Sequence, residues 1–466
     1  MEGYWNFFQN HSSNDIDSIL QYSTQQKSFF FLDSLTSDTK QHNAKAQRSY
    51  IGTNPIAELI WENGNLLLIQ GGETRSFEKV APSVALEYLD TFLSKNQIKQ
   101  WELINDLIPQ FFITLSYDFG EELILGHSSG KPSLVSFPGL YCCLCQEQLI
   151  IDHSTNEIFY YSFDTKRLPL GMLKRRFERF IKLSPSIVET SKVTVLQSNF
   201  TKENYLEAIR GIKKYIMDGH IYQVNLSQTF QFSSYGFPEN MYTKIRKTNP
   251  APFCSFFKSG NWCILSTSPE RFLLKQGERI STEPIKGTRP RGKTLKEDHK
   301  NIQELLSSEK EVAEHTMIVD LLRNDLGRIC RFGSIKVEEK FYVESYKSVH
   351  QLVSKIAGRL KPNTTIGSIL RETFPGGSIT GTPKKRAMEI IREYEPNKRS
   401  AYTGTLGRIS CNLNDFDLSI LIRSIFIQNH IALLSLGGGI VYDSNELDEY
   451  QETIDKGAGI VSALFE

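Results

Sequence analysis

The stretch from Thr201 to Phe232 most constrains the fold of this 466-residue chain, because its two parts follow different hydrophobic periods. Thr201 suits a helix start, the apolar residues after it recur at helical spacing, and Gly219 suits the helix end. From Gln223 to Phe232 apolar and polar residues alternate, which predicts a strand. The polar face of that strand is uncharged, whereas solvated faces usually carry Lys and Glu. A cavity wall is therefore favoured over a solvent-facing antiparallel strand.

The overall charge argues against two classes of partner. Lys and Arg total 54 against 53 acids, without the basic excess that is typical of nucleic-acid-binding or membrane-surface proteins. No apolar run reaches the length of a membrane span and the N-terminus carries no export signal, so we expect a cytosolic protein. The seven cysteines predict reduced thiols, and the run that holds Cys142, Cys143 and Cys145 predicts a buried strand.

Two pairs of carboxylates are the clearest candidates for metal binding. Glu311 and Glu314 recur at i and i+3, as do Glu449 and Glu452, so each pair projects from one side of its predicted helix. Magnesium takes oxygen ligands and usually combines one or two carboxylates with water and anionic substrate oxygens. From the spacing alone, two solvated acidic faces explain the pattern better than a metal site does.

An acid and a lysine are candidates for proton transfer and nucleophilic attack. Pro269 fixes the backbone directly before Glu270 and so gives the carboxyl a defined direction. Lys286 shares a short loop with Arg289 and Arg291. Nearby positive charges favour the neutral form of a lysine, which is a nucleophile or a base. An exposed basic loop or an anion site explains the same crowding equally well.

Two glycine-rich segments flank these candidates. Residues 374–384 precede a helical pattern at 386–394 and could hold an anion on backbone N–H groups, although the segment matches neither a P-loop nor a dinucleotide fingerprint. Residues 437–439 predict a turn ahead of the helix that contains Glu449. On that helix Glu449, Glu452 and Lys456 are predicted to share one side, and Leu447, Tyr450 and Ile454 an apolar one.

Residues from about 200 to 466 resemble the chorismate-utilising enzymes, which include anthranilate synthase component I, aminodeoxychorismate synthase component I and the isochorismate and salicylate synthases. The resemblance lies in Ile221–Gln228, Ser268–Glu270, Pro284–Thr288, Glu311–Arg328, Gly377–Lys384, Asp417–Arg423 and Gly437–Gly457. Residues 31–34 and 115–118 more loosely resemble the N-terminal part of the synthase-type members. The resemblance implies an α+β sandwich of two packed antiparallel sheets flanked by helices, with an N-terminal region 1–197 and a chorismate-binding catalytic region 198–466.

The resemblance also implies roles for individual residues. Glu314 and Glu452 would bind Mg²⁺, with Glu311 and Glu449 close by, and Glu270 would be the general acid that protonates the departing 4-hydroxyl. The residues implied to contact chorismate are Gln223, Gly287, Thr288, His350, Tyr402, Arg423, Gly438, Gly439 and Lys456. A possible tryptophan-type site in the N-terminal region would include Asp33 and Ser34.

Two positions distinguish members of the family. Gln223 stands where the water-using members carry a lysine, which disfavours water addition, and Lys286 stands where aminodeoxychorismate synthases place a lysine. The resemblance therefore implies that chorismate and ammonia give 4-amino-4-deoxychorismate, for p-aminobenzoate and folate, after Lys286 attacks C2. No cysteine lies in the Gly-x-Cys-x-Gly pattern of a triad glutaminase, so we expect a separate glutaminase subunit as partner. The alternatives are anthranilate synthase component I and a non-catalytic regulatory subunit that binds chorismate or tryptophan.

Overall fold

A computed structural model describes residues 4–11, 16–34, 45, 47–98, 107–181, 192–193, 196–347 and 349–465. The helices are α1 (Ile16–Ser23), α2 (Pro82–Lys95), α3 (Tyr117–Leu125), α4 (Leu170–Ile181), α5 (Lys202–Met217), α6 (Pro238–Thr248), α7 (Leu295–Ser307), α8 (Glu309–Ile329), α9 (Ile366–Thr373), α10 (Lys384–Tyr394) and α11 (Glu446–Phe465), with a short 3-10 helix at Gly377–Ile379. In these ranges no helix has the length and apolar character needed to cross a membrane.

The strands are β1 (Tyr4–His11), β2 (Ser28–Asp33), β3 (Arg48–Glu62), β4 (Asn65–Gln70), β5 (Glu73–Phe77), β6 (Gln110–Leu115), β7 (Leu140–Asp152), β8 (Glu157–Asp164), β9 (Lys192–Val193), β10 (Gln197–Ser198), β11 (Gln223–Tyr235), β12 (Phe253–Ser259), β13 (Trp262–Ser268), β14 (Arg271–Gln276), β15 (Arg279–Glu283), β16 (Ile285–Pro290), β17 (Lys336–Ser345), β18 (Val349–Arg359), β19 (Gly381–Thr382), β20 (Thr405–Ser410), β21 (Asp415–Ile420), β22 (Ser424–Gln428) and β23 (Ile431–Ile440).

The strands pair in antiparallel fashion, and segments from both predicted regions contribute to the same sheets. β2 pairs with β12, and β6 pairs with β20, so N-terminal strands lie beside strands that follow them by more than 200 residues. Residues 182–191 and 194–195, which lie beside the predicted division at 197/198, are outside the described residues. The division at 197/198 stays a prediction.

Three apolar clusters define the layers. One contains only strand and loop residues, among them Phe30, Tyr141, Trp262 and Phe426, and it fills the space between the packed strand layers. The other two combine strand residues with residues from the covering helices. This confirms the predicted fold of packed antiparallel sheets with helices outside, since the helices in these two clusters bury apolar faces against outer sheet surfaces.

The helix and strand predicted between 201 and 232 are confirmed. The Oγ1 atom of Thr201 accepts a hydrogen bond from the N–H of Asn204 at 3.2 Å and so caps α5. The chain leaves the helix through Gly219, whose φ of 76° suits glycine, and enters β11 at Gln223. The three clustered cysteines are buried in β7, also as predicted.

The predicted glycine turn at 437–439 is wrong. These residues continue β23, where Gly437, Gly438 and Gly439 stand opposite Ser227, Leu226 and Asn225 of β11. Glycine in a strand interior often marks a place where other groups approach the backbone closely. The three glycines therefore leave room beside the strand and do not reverse the chain.

The predicted apolar side of α11 is wrong in part. Leu447 is 54% exposed at the start of the helix, while the buried face contains Glu449, Thr453, Gly457 and Ile460. A Cβ atom on Gly457 would lie 2.4 Å from the side chain of Leu436, so α11 packs directly against β23 through small residues. This close packing places the acidic side of α11 next to the three glycines.

Candidate active site

A cavity of about 770 Å³ lies where β16, α8, β23 and α11 meet. Most of the predicted site residues line it, although they are widely separated in the sequence. They are Glu270, Lys286, Gly287, Thr288, Glu311, Glu314, Tyr402, Arg423, Gly439, Glu449, Glu452 and Lys456. The fold thus brings the two acid pairs, the candidate acid and the candidate nucleophile into one space.

Lys286 reaches this cavity from an irregular part of β16. The pairing with β18 shifts register between Ile285 and Thr288, and Gly287 has a φ of 80°. Such a bulge leaves an extra residue unpaired and redirects side chains. A Cβ atom on Gly439 would lie 2.9 Å from the Nζ atom of Lys286, which places the amine against β23.

The other cations of the loop are bound to carboxylates. The guanidinium of Arg289 lies 3.2 Å from Glu311, and that of Arg291 lies 2.9 Å from Asp298. Lys286 forms no ion pair with any residue that the structure describes. The crowding of three cations predicted from the sequence is therefore relieved, and Lys286 faces the cavity with its amine unpaired.

Glu270 lies in the short link between β13 and β14 and is 5% exposed. Burial raises the pKa of Glu270 to about 7, although a hydrogen bond from Ser378 and the charge of Lys286 act in the opposite direction. A carboxyl with such a pKa is partly protonated near neutral pH and can donate a proton to a leaving group. This geometry and pKa suit a general acid.

The four glutamates come from two helices that border the cavity. Burial raises the pKa of Glu314, and the nearby charges of Glu311 and Glu449 act in the same direction. Burial likewise raises the pKa of Glu449, with a contribution from Glu452. For Glu452 burial also acts to raise the pKa, but the charge and hydrogen bond of Lys456 outweigh it, and the pKa is lowered. The carboxylates are thus close enough to repel one another.

The donor chemistry of this cluster fits magnesium. The available ligand atoms are carboxylate oxygens, the hard donors that Mg²⁺ prefers. Lys310 and Lys456 lie 3.9 Å and 2.6 Å from Glu314 and Glu452 and balance part of their charge. Among the described residues no group of three acidic, His or Cys side chains converges enough to hold a metal alone. Water or substrate oxygens would have to complete the coordination, as is usual for Mg²⁺.

Two cations and a phenol could recognise an anionic ligand. Arg423 has a φ of 51°, and its main-chain carbonyl accepts hydrogen bonds at 3.1 Å from both the N–H and the Oγ1 of Thr267. Burial lowers the pKa of Arg423. Lys456 donates to the carbonyl of Gly437 at 3.0 Å, and Tyr402 is buried in the wall. The positive φ of Arg423 is uncommon for a residue other than glycine, and such backbone conformations are concentrated at functional sites.

Gln223 and Gly438 lie behind the wall of the cavity. A Cβ atom on Gly439 would lie 2.5 Å from Nε2 of Gln223, so the side chains of Gln223 and Lys286 meet over this glycine. The Oε1 atom of Gln223 has no hydrogen-bond partner among the described residues. A Cβ atom on Gly438 would lie 3.3 Å from Oε2 of Glu449. Both residues therefore support side chains that reach the cavity.

The structure does not place His350 among the residues that line the cavity, and its contact with the substrate ring stays a prediction. Its Nε2 atom lies 2.9 Å from Oδ1 of Asp298 and its Nδ1 atom 2.7 Å from Oγ of Ser345, on the side of β18 away from the cavity. Side chains alternate along a strand, so the neighbours Val349 and Gln351 line the cavity instead. The Oε1 atom of Gln351 is buried without a hydrogen-bond partner among the described residues.

The possible tryptophan-type site stays a prediction, and its two residues lie in different surroundings. Ser34 lines a second cavity of about 260 Å³ between β2, β6 and β20. Asp33 does not line it, because its buried carboxylate is bound by Nε of Arg246 at 2.6 Å and by the hydroxyl of Tyr242 at 3.2 Å. Asp33 is therefore an internal ion-pair residue.

The sequence analysis did not identify two charged or titratable side chains on α8, Lys310 and His315, as parts of the site. Lys310 lines the cavity, and its position four residues before Glu314 is a helical pairing signal. His315 is fully buried beside the cavity wall, and burial lowers its pKa to about 4. In the sequence, the only indication of a role for His315 was its position next to Glu314.

Comparisons with known proteins show the family to which this chain belongs. Residues 30–462 match the family described as chorismate binding enzyme. The chain is 46% identical over 316 residues to aminodeoxychorismate synthase component 1 of Escherichia coli, which covers 68% of each chain. It is 35% identical over 394 residues to anthranilate synthase component 1 of Neisseria meningitidis serogroup A, covering 81% of this chain and 79% of that one.

A solved structure shows the same fold. The crystal structure of anthranilate synthase component I from Streptococcus pneumoniae superposes with a TM-score of 0.74 at 28% identity and covers 89% of this chain and 92% of that chain. The family match spans nearly the whole sequence, and its residues enclose the cavity that holds the paired glutamates. The chain therefore belongs to the chorismate-binding enzymes.

Proposed function

We propose that this protein is component 1 of an aminodeoxychorismate synthase, which replaces the 4-hydroxyl of chorismate by an amino group. The observation that carries the proposal is the pairing of Lys286 and Glu270 in one cavity. Lys286 faces the cavity without an ion pair to any described residue, and Glu270 is buried with a pKa of about 7. The identity of 46% to a relative named aminodeoxychorismate synthase component 1 supports this choice.

The first step joins Lys286 to the substrate. The neutral amine attacks C2, the ring double bonds shift, and the C4–O bond breaks. Glu270 gives its proton to the departing hydroxyl, which leaves as water, since hydroxide itself is a poor leaving group. The electron pair of the amine thus replaces the electron pair lost with the oxygen.

The second step releases Lys286 from the substrate. Ammonia adds at C4, the double bonds shift back, and the C2–N bond to Lys286 breaks. The incoming nitrogen loses one proton, which restores the acid form of Glu270. The net reaction consumes chorismate and ammonia and gives 4-amino-4-deoxychorismate and water. No pyruvate is lost, because the enolpyruvyl group takes no part.

Charged groups in the wall of the cavity would bind the anionic substrate. Glu314 and Glu452 would hold Mg²⁺, with Glu311 and Glu449 beside them, and the ion would neutralise the ring carboxylate of chorismate. Arg423 and Lys456 supply positive charge from the protein itself. Gln223 carries no charge and cannot activate water as a lysine would, which favours ammonia as the nucleophile.

The relatives' designation as component 1 favours a second subunit that supplies the nitrogen. We propose that a separate glutaminase provides ammonia to this site and that free ammonium can substitute for it. The product would serve p-aminobenzoate and folate synthesis in the cytoplasm.

Anthranilate synthase component I is the second candidate, because one such relative is 35% identical over 394 residues. That reaction would use the same acids and cations, without covalent attack by Lys286. A non-catalytic regulatory subunit is less consistent with the site, since a binding protein has no need of a buried carboxyl with a raised pKa.

Product analysis tests the proposal. The purified chain is incubated with chorismate, Mg²⁺ and ammonium, with and without an added aminodeoxychorismate lyase. We expect p-aminobenzoate only when the lyase is present. Anthranilate together with pyruvate, formed without the lyase, would assign the protein to the anthranilate synthases and refute the role of Lys286.

A further inference from the structure

The imidazole of His315 is buried without a completed hydrogen bond. The side chain is fully buried, and neither ring nitrogen forms a hydrogen bond of standard length and angle with a described residue. The edge of the ring meets Phe341, whose ring centroid is 5.4 Å away at 82°. Buried polar atoms are nearly always paired, because an unpaired one loses its hydrogen bonds to water without replacement. The position of this ring therefore calls for a partner.

The partner that the fold offers is the main chain of Lys286. The carbonyl group of Lys286 faces the ring of His315. His315 lies one helical turn after Glu311, whose Oε2 atom would be 2.9 Å from a Cβ atom on Gly287. One face of α8 thus packs against both residues of the bulge.

The bulge needs such a support. The register shift between Ile285 and Thr288 removes Lys286 and Gly287 from the regular ladder with β18, so their main-chain groups have to find partners elsewhere. On the far side, Phe341 has a φ of 56°, which is rare for a bulky residue, and its N–H is held by Oγ of Ser354 at 3.1 Å. The ring of His315 is thereby wedged between Phe341 and the bulge.

We propose that His315 is a positioning residue, which donates a ring N–H to the main-chain carbonyl of Lys286 and so fixes the direction of the lysine side chain. The donor exists in the neutral ring and in the charged ring alike, so the role requires no proton uptake. His315 does not touch the reacting atoms. It acts by holding the backbone from which the amine extends.

The inference rests on the proposed function only through its kinetic test. We expect His315→Leu, which has similar bulk and no donor, to lower kcat for amination about 10–100-fold, with the KM for chorismate changed less than about threefold. His315→Gln keeps an N–H donor and should recover most of the loss. Equal losses in both variants, or a loss confined to KM, would overturn the positioning role.

A matched control separates positioning from general loosening of the helix. Val319 is a buried apolar residue on α8, one turn further from the bulge. Val319→Ala should lower the free energy of unfolding while leaving kcat close to that of the parent protein. If Val319→Ala reduces kcat as strongly as His315→Leu, packing of α8 rather than the donor is responsible and the proposal fails.

A spectroscopic measurement tests the hydrogen bond without any turnover. In protein with ¹⁵N-labelled histidine, one ring N–H should exchange slowly with water and should disappear in His315→Gln. It should persist in Lys286→Ala, because the acceptor is a main-chain carbonyl. Absence of a protected ring proton would overturn the proposal, whereas failure of C4 amination in the parent protein would refute only the proposed function.

Discussion

Replacing Glu270 by Gln should make the protein more stable and nearly inactive, with a stability gain that depends on pH. Burial raises the pKa of this carboxyl from 4.5 to about 7. The native state therefore keeps a proton that the unfolded chain releases once the pH passes 4.5. The contribution of this group to stability is fully present below pH 4.5 and is lost as the pH rises through about 7.

The size of the effect follows from the two pKa values. The difference is about 2.5 units, and each unit corresponds to 1.36 kcal/mol, so ionised Glu270 lowers the free energy of unfolding by about 3 kcal/mol above pH 7. Gln has similar shape and no charge at any pH. The free energy of unfolding of the variant should thus exceed that of the parent by about 1 kcal/mol at pH 5 and by about 3 kcal/mol at pH 8. Loss of the general acid should lower turnover about 10²–10⁴-fold.

Urea denaturation at pH 5 and pH 8 measures the stability change, and product formation measures turnover. Glu207→Gln is the matched control, because Glu207 is exposed on α5. The control should show no pH-dependent gain. A stability gain of equal size at both pH values would show that Glu270 is not a buried ionising group, and turnover within tenfold of the parent would refute its role as acid.

Three further substitutions test the remaining parts of the site. Lys286→Ala should abolish C4 amination while calorimetry still detects magnesium-dependent chorismate binding; unchanged product formation would exclude the covalent role. Glu452→Gln should raise the Mg²⁺ concentration for half-maximal activity about 10-fold or more; an unchanged dependence would remove Glu452 from the ligand set. In Gly439→Ala the new methyl group would overlap Nε2 of Gln223 at 2.5 Å and Nζ of Lys286 at 2.9 Å, so amination should fall sharply, and full activity would contradict this packing.

The sequence predicted best those features that depend on one element. The acid pairs on α8 and α11 and the alternation along β11 follow from helical and strand periods alone, and all four glutamates reach the cavity. The capping of α5 by Thr201 is equally local. Periodicity determines on which face of its own helix or strand a side chain lies, and this was sufficient to predict the acid pairs and the alternation along β11.

Features that depend on register or on a neighbouring element were not predictable. His350 was predicted to line the cavity, but its neighbour Gln351 does so. The two side chains lie on opposite faces of β18, and no local sequence pattern determined which face borders the cavity. The glycines at 437–439 suit a turn by composition, yet they extend β23 because side chains from other strands and helices occupy the space beside them. The bulge that directs Lys286 likewise arises from pairing with β18.

The two protonation states that the proposed reaction requires support each other. Attack needs a neutral Lys286, and departure of the hydroxyl needs a protonated Glu270. The positive charge of Lys286 acts to lower the pKa of Glu270, so loss of that charge raises the pKa of the acid further and secures its proton. The same charge acts to lower the pKa values of Glu314 and Glu452. A bound divalent cation would take over the stabilisation of these carboxylates, and the lysine could then give up its proton without leaving the acidic cluster uncompensated.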